Sequence, residues 1–134
     1  MIFVDSGYFI ALATQDDELH ARALQWASTT DRLLVSEYVL WETVNHLSGV
    51  RDRSKAHELL EDVRSSHSCE VIAANTGLFE RSLNLHRDRP DKNWSLTDCI
   101  SFCIIRERGI REALAYDEHF EQAGFLALLR REPS

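Results

Sequence analysis

The strongest constraint on this chain is its alternation of short β-prone runs with longer segments of helical period, unbroken by any repeat, low-complexity tract or Pro/Gly-rich linker. Strands separated by helices most simply run parallel in one sheet, because each crossover returns the chain to the edge where the previous strand began. Such a sheet is covered by helices on both faces. Residues 2–5, "IFVD", read as a first buried strand, followed by helices through "SGYFIALAT" and "DELHARALQWAS". "RLLVS" is a second strand; it leads into a helix over "EYVLWETVNHLS", which Gly49 can end, and another over "RSKAHELLEDVRSS". "CEVIAA" is a third strand, after which Asn75 or Thr76 can cap a helix running to about Arg87. A polar loop around Pro90 precedes a helix that opens in "SLTDCISFCII" and stops at Gly109. "EALAY" is a fourth strand, "DEHFEQAG" a helical turn and "FLALL" a final strand. With 134 residues, 44% of them hydrophobic, the expectation is a single α/β domain over 1–134.

Several classes of protein are disfavoured at this stage. No run approaches the roughly 18 to 20 apolar residues of a membrane span, and no basic region precedes the apolar N-terminal stretch. The expectation is a soluble, unprocessed, cytoplasmic protein. Its three cysteines, Cys69, Cys99 and Cys103, are odd in number, form no CxxC and suit buried reduced thiols. The formal net charge of −7 argues against coating nucleic acid by bulk electrostatics, so any nucleic acid must be met by local basic groups. The candidates are Arg51, Arg53 and Lys55, then Arg81, Arg87, Arg89 and Lys92, and finally Arg130 and Arg131. Each such cluster is more often simply a solvated face.

In an open parallel sheet, ligands bind at the carboxyl ends of the strands, and three aspartates are expected there. Asp5 ends the first strand, Asp117 follows the fourth, and Asp98 opens the helix that feeds the fourth. Each also fits a helix cap, and "SLTD" matches the [ST]-x-x-[DE] capping box. The helical wheel adds weight to Asp98: Leu96, Ile100, Cys103 and Ile104 form one apolar face, while Asp98, Phe102 and Ile105 share a second stripe. A helix apolar on two sides is sandwiched, so this carboxylate is expected to look into a semi-enclosed cleft. Glu42 lies opposite the apolar face of Leu40, Val44 and Leu47; alone it suits solvent, but its helix also starts at the carboxyl edge.

"FVDSGYFIAL" with Asp5, "SEYVLWETVNHL" with Glu42, "SLTDCISF" with Asp98 and "ALAYDEHFEQAGF" with Asp117 resemble the four acidic blocks of PIN-domain proteins. The resemblance spans essentially the whole chain and is strongest to small stand-alone PIN domains typified by the VapC toxins of bacterial toxin–antitoxin pairs. It implies a PIN-like fold with a parallel five-stranded sheet in 3-2-1-4-5 order and a divalent-metal-dependent endoribonuclease activity. It also implies an acidic pocket of Asp5, Glu42, Asp98 and Asp117, with Ser6 and Thr97 as supporting hydroxyls. Gly7 stands where many relatives carry a second polar residue, and Ala115 where many carry Ser or Thr; the four acids are intact.

Clustered carboxylates about 5 Å apart repel by roughly 3 kcal/mol per pair at an effective dielectric near 20, which a hard divalent ion relieves. Mg²⁺ or Mn²⁺ suits a pocket of oxygen ligands. Asp5 and Asp98 are the expected direct or water-bridged ligands, with Glu42 orienting or deprotonating the attacking water and Asp117 completing the shell, for both of which a water-bridged contact suffices. Competing classes lack their signatures: "VDSG" has neither the adjacent acids of a receiver domain nor the DxD of a haloacid-dehalogenase-type phosphatase, and no GxGxxG or GxxxxGK[ST] occurs. A PIN-like binding module without catalysis and a PIN nuclease of RNA processing stay open as alternatives. The family implies an RNA substrate, a homodimer and a small antitoxin, for which Trp26, Tyr38 and Trp41 are contact candidates if exposed.

Overall fold

A computed structural model describes residues 1–29 and 31–134. In chain order it contains β1 (Ile2–Val4), α1 (Ser6–Ala13), α2 (His20–Ala27), β2 (Leu33–Ser36), α3 (Glu37–His46), α4 (Arg53–Ser65), β3 (Cys69–Ile72), α5 (Thr76–Asp88), α6 (Leu96–Glu107), β4 (Glu112–Leu114), α7 (Glu118–Gln122) and β5 (Leu126–Ala127). The five strands are all parallel and lie in the order β3-β2-β1-β4-β5, as expected. Every residue of β1 is buried. Successive strand residues point to opposite faces, so both faces of the sheet centre are covered.

The order places the topological switch between β1 and β4, whose neighbours are reached by chains running in opposite directions across the sheet. Crevices form at the carboxyl ends of such a pair. The ladder continues one residue past β1, with the Asp5 amide donating to the Leu114 carbonyl at 3.1 Å. Asp5 therefore leaves the sheet beside Leu114, the last residue of β4, three residues before Asp117.

Local chemistry sets the element ends. Ser36 caps α3 by accepting from the Val39 amide, and Asn75 caps α5 by accepting from Leu78. Gly109, at φ +66°, supplies the left-handed residue that ends α6. Several expected bounds need adjustment, and the fourth strand keeps only Glu112–Leu114 of "EALAY". The helix expected from residue 17 starts at His20, because the Asp17 carboxylate takes the Leu19 amide at 2.8 Å in a preceding turn. α3 stops at His46, before Gly49, with Leu47 as its cap. The third strand ends at Ile72, and the Ala74 amide turns to Glu37 Oε1 at 2.7 Å. The final strand keeps only Leu126 and Ala127; Leu128–Arg130 form a 3₁₀ turn, because Leu128 and Leu129 bury themselves and the Leu129 amide reaches back to the Ala115 carbonyl.

The sandwiched character of α6 is present: Cys99, Ile100, Phe102, Ile104 and Ile105 are all buried. Phe102 is fully buried and meets Trp94 and Phe120 edge-on at 5.0 Å each, with Phe125 at 5.8 Å. These rings join α6, the loop before it and α7. The Trp94 indole also donates to Gln122 Oε1 of α7 at 3.0 Å. The cluster is the floor that holds the start of α6 beside the start of α7. Among the described residues no helix is long and apolar enough to cross a membrane.

If this floor sets the alignment, Phe102→Ala lowers the unfolding free energy by about 3–5 kcal/mol, as large-to-small core substitutions do. Urea denaturation followed by circular dichroism measures it; a loss under about 1 kcal/mol would contradict the role given to the ring.

Candidate active site

Each acid at the sheet edge is placed by its own element. Asp5 is the N-cap of α1 but makes no side-chain cap bond, so its carboxylate is not consumed by the helix. Asp98 does close the capping box: Ser95 Oγ accepts from the Asp98 amide, and Asp98 Oδ2 accepts from the Ser95 amide, both at 3.0 Å. The same Oδ2 lies 2.9 Å from His119 Nδ1. Capping and site membership thus coexist in one carboxylate, and it is largely enclosed, 13% exposed. Asp117 caps α7, its Oδ1 accepting from the His119 amide at 3.0 Å, and is more open at 46%. Glu42, partly buried on the second turn of α3, is held from across the chain by Ser6 Oγ, which donates to Oε1 at 2.5 Å.

The four acids converge electrostatically on Asp5. Its carboxyl is pushed from 3.8 up to about 7, first by burial, then by Asp98 and Glu42, with Asp117 contributing less and the Ser6 amide pulling the other way. A carboxyl that holds its proton near neutrality marks a place where negative charge is crowded and desolvated. Thr97, the other expected hydroxyl, is partly buried and lines a cleft with Glu42, Tyr38 and Phe79. Its side chain makes no hydrogen bond among the described residues.

One residue of this cluster escaped the sequence reading. His119, 20% exposed, stands between two acids, with Nδ1 2.9 Å from Asp98 Oδ2 and 3.3 Å from Asp117 Oδ1. One ligand atom from each of Asp98, Asp117 and His119 lies within 4.8 Å of the others. Unit negative charges at that spacing repel by roughly 3 kcal/mol at an effective dielectric of about 20, and an N–H between them relieves the conflict. The only signal in the sequence was its position two residues after a capping acid, in the first turn of a helix that starts at the same edge.

The donor set is rich in oxygen, and each carboxylate keeps capacity. Among the described residues Glu42 uses Oε1, Asp98 uses Oδ2 and Asp117 uses Oδ1, which leaves one oxygen of each for another partner. The thiols stand apart: Cys99 is buried, and its burial, followed by Asp98 and Cys103, pushes its thiol up to about 11. All three cysteines are free, though only Cys99 is fully buried. These acids therefore fit a hard divalent cation better than a soft one.

The PIN domain model matches residues 2–126. This chain belongs to the PIN domain family. Within it, the 23S rRNA-specific endonuclease VapC20 of Mycobacterium tuberculosis is 32% identical over 127 residues, covering 94% of this chain and 96% of that protein. The crystal structure of M. tuberculosis VapC20, a Sarcin-Ricin loop cleaving toxin, superposes with a TM-score of 0.88 at 28% identity, covering 99% of this chain and all of that one. The PIN fold and the strand order 3-2-1-4-5 expected from the sequence are those found.

The raised Asp5 pKa has a consequence for stability. The native state keeps a proton that the unfolded chain gives up near its ordinary value, so this contribution is complete below about pH 4 and is lost as pH rises through about 7. The thermal midpoint of the metal-free protein should fall from about pH 5 to about pH 7.5, and Asp5→Asn should flatten that fall. Equal slopes for both proteins, by scanning calorimetry, would show that Asp5 is not the group responsible.

Proposed function

We propose that this PIN domain is a divalent-metal-dependent endoribonuclease, hydrolysing RNA phosphodiester bonds as the toxin of a VapBC-like toxin–antitoxin pair. The observation that carries the reading is the convergence on Asp5 of Glu42, Asp98 and Asp117 from three other elements, enough to hold its carboxyl near pH 7. The similarity to an endonuclease over nearly the whole length of both chains supports RNA as the substrate class.

In this reading Asp5 and Asp98 hold Mg²⁺ or Mn²⁺, with Glu42 and Asp117 joining through water. A bound divalent ion supplies charge neutralisation for the crowded carboxylates and for the scissile phosphate, and makes water easier to deprotonate. The chain's own groups do the rest. Ser6 fixes the Glu42 carboxylate by donating to Oε1, so that Oε2 can accept a proton from the attacking water. His119 holds Asp98 and Asp117 at a set separation. The aromatic floor under Asp98 excludes water from one side of the pocket.

An antitoxin surface is also available in outline. Trp41 is 66% exposed, whereas Trp26 donates its indole N–H to the Arg131 carbonyl and Tyr38 exchanges hydrogen bonds with Asn75. Trp41 borders a mainly apolar groove of about 520 Å³ with Leu40, Val44, Leu60 and Val71. A partner that lays an apolar helix or strand there fits the toxin reading, as does a homodimer using the neighbouring Phe79 and Leu83. The protein acts in the cytoplasm in this account.

Asp98→Asn keeps the capping geometry and removes the charge. It should lower Mn²⁺-dependent cleavage of RNA by at least about 100-fold while shifting the thermal midpoint little, and EDTA should abolish the wild-type activity. Gel analysis of cleaved RNA beside a thermal melt decides it. Unchanged cleavage by folded Asp98→Asn would overturn the assignment, and scission that survives EDTA would overturn the metal dependence.

A further inference from the structure

Several of the basic residues singled out in the sequence are paired with carboxylates outside the acidic pocket. Arg81 pairs with Glu107 across α5 and α6, Arg87 with Asp88, and Arg89 with Asp91. Arg130 is different in where it lies. The Leu129 amide bonds the Ala115 carbonyl, which brings the end of the chain alongside the exit of β4. There Arg130 Nη1 donates to the Tyr116 carbonyl at 2.8 Å, and its guanidinium carbon stands 4.9 Å from the centre of the Tyr116 ring. Tyr116 immediately precedes Asp117, so this pair borders the acidic pocket within one residue's length of about 3.8 Å.

The neighbourhood is an open cleft of about 380 Å³ lined by Glu18, Leu19, Arg22, Tyr116, Leu129 and Arg130. Tyr116 is 43% exposed, although an aromatic ring with no burial to gain costs nothing to replace by a polar residue. Arg22, the second cation, donates to the Leu129 carbonyl at 3.3 Å and so also faces this side of the chain. Three carboxylates temper the charge: Glu121 lies 3.2 Å from Arg130 Nε, Glu132 lies 4.0 Å from Arg22 Nη2, and Glu18 is on the cleft wall. A site so balanced does not attract polyanions over a distance. It offers instead a flat π face with a planar guanidinium against it, and Arg130 Nη2 has no partner among the described residues.

We propose that Tyr116 and Arg130 form a nucleotide subsite that takes an unpaired ribonucleotide next to the scissile phosphate. The base stacks on the Tyr116–Arg130 platform, and the free guanidinium donors meet the adjoining phosphate. This rests on the ribonuclease reading for its purpose, and it adds the grip on substrate that the acids themselves cannot supply, since four carboxylates repel RNA. Stacking tolerates any base, so the subsite positions the strand and leaves sequence choice to other contacts. The bland alternative is a clamp that fastens the chain end. That task is already performed by the Leu129 amide, which donates to the Ala115 carbonyl, and by the Trp26 indole, which donates to the Arg131 carbonyl.

The test measures binding apart from cleavage. The dissociation constant of a fluorescein-labelled single-stranded RNA is measured by anisotropy in EDTA and again in Ca²⁺, and steady-state cleavage is followed separately in Mn²⁺. Tyr116→Leu, which fills the same space without a π face, and Arg130→Ala should each weaken binding about tenfold, the size of one lost base–aromatic stack. Tyr116→Phe should restore what Tyr116→Leu loses, and the loss in cleavage should fall on KM more than on kcat. Thermal midpoints within a few degrees of wild type exclude unfolding as the cause. Wild-type affinity in folded Tyr116→Leu, or no binding by the wild type under either condition, would overturn the subsite. Binding that depends on Tyr116 with no scission in Mn²⁺ would overturn the nuclease reading and leave the subsite standing.

Discussion

The structure depends on a conflict among like charges at one edge of its sheet. Four elements deliver Asp5, Glu42, Asp98 and Asp117 to the switch between β1 and β4, and the cost is visible in the Asp5 carboxyl, raised to about 7 by burial and by its acidic neighbours. Such crowding of desolvated like charge is concentrated at functional sites. The remaining architecture serves to hold the acids there. Ser6 restrains Glu42, the capping box restrains Asp98, His119 spans Asp98 and Asp117, and the Trp94–Phe102–Phe120 stack fixes α6 against α7.

These devices share an economy of parts. The first helical turns of α1, α6 and α7 need polar groups for their unpaired amides, and acids are favoured there by the helix dipole. Parallel topology brings all those turns to one edge. Asp98 and Asp117 satisfy backbone donors with one oxygen and keep the other, whereas Asp5 caps nothing and is the most perturbed. A capping role and a site role are therefore not rivals for these residues.

Much of this was legible in the sequence because it is local. Alternating strand and helix periods give the order of elements, and Asp5, Asp98 and Asp117 sit at strand ends or helix starts that the periods mark, whereas Glu42, on the second turn of α3, joined them through the resemblance to PIN domains. What was not legible depends on contacts between distant residues. "FLALL" is a continuous apolar run of strand length, yet Leu128 and Leu129 leave the sheet and bury themselves beside the exit of β4. The Ser6–Glu42 bond joins residues 36 apart, and His119 gains meaning only once α6 and α7 start side by side. Of the aromatic residues singled out on helices, Trp26 and Tyr38 are anchored by hydrogen bonds and Trp41 alone projects, a distinction no helical wheel contains.

If the crowded acids form a cation site, filling it displaces the Asp5 proton. Isothermal titration of Mg²⁺ in buffers of differing ionisation enthalpy counts that proton directly. The account predicts release of close to one proton per ion bound at about pH 6 and almost none above about pH 8.5, since the group is then already ionised. Binding with no proton release at the lower pH, or no binding at either, would contradict it.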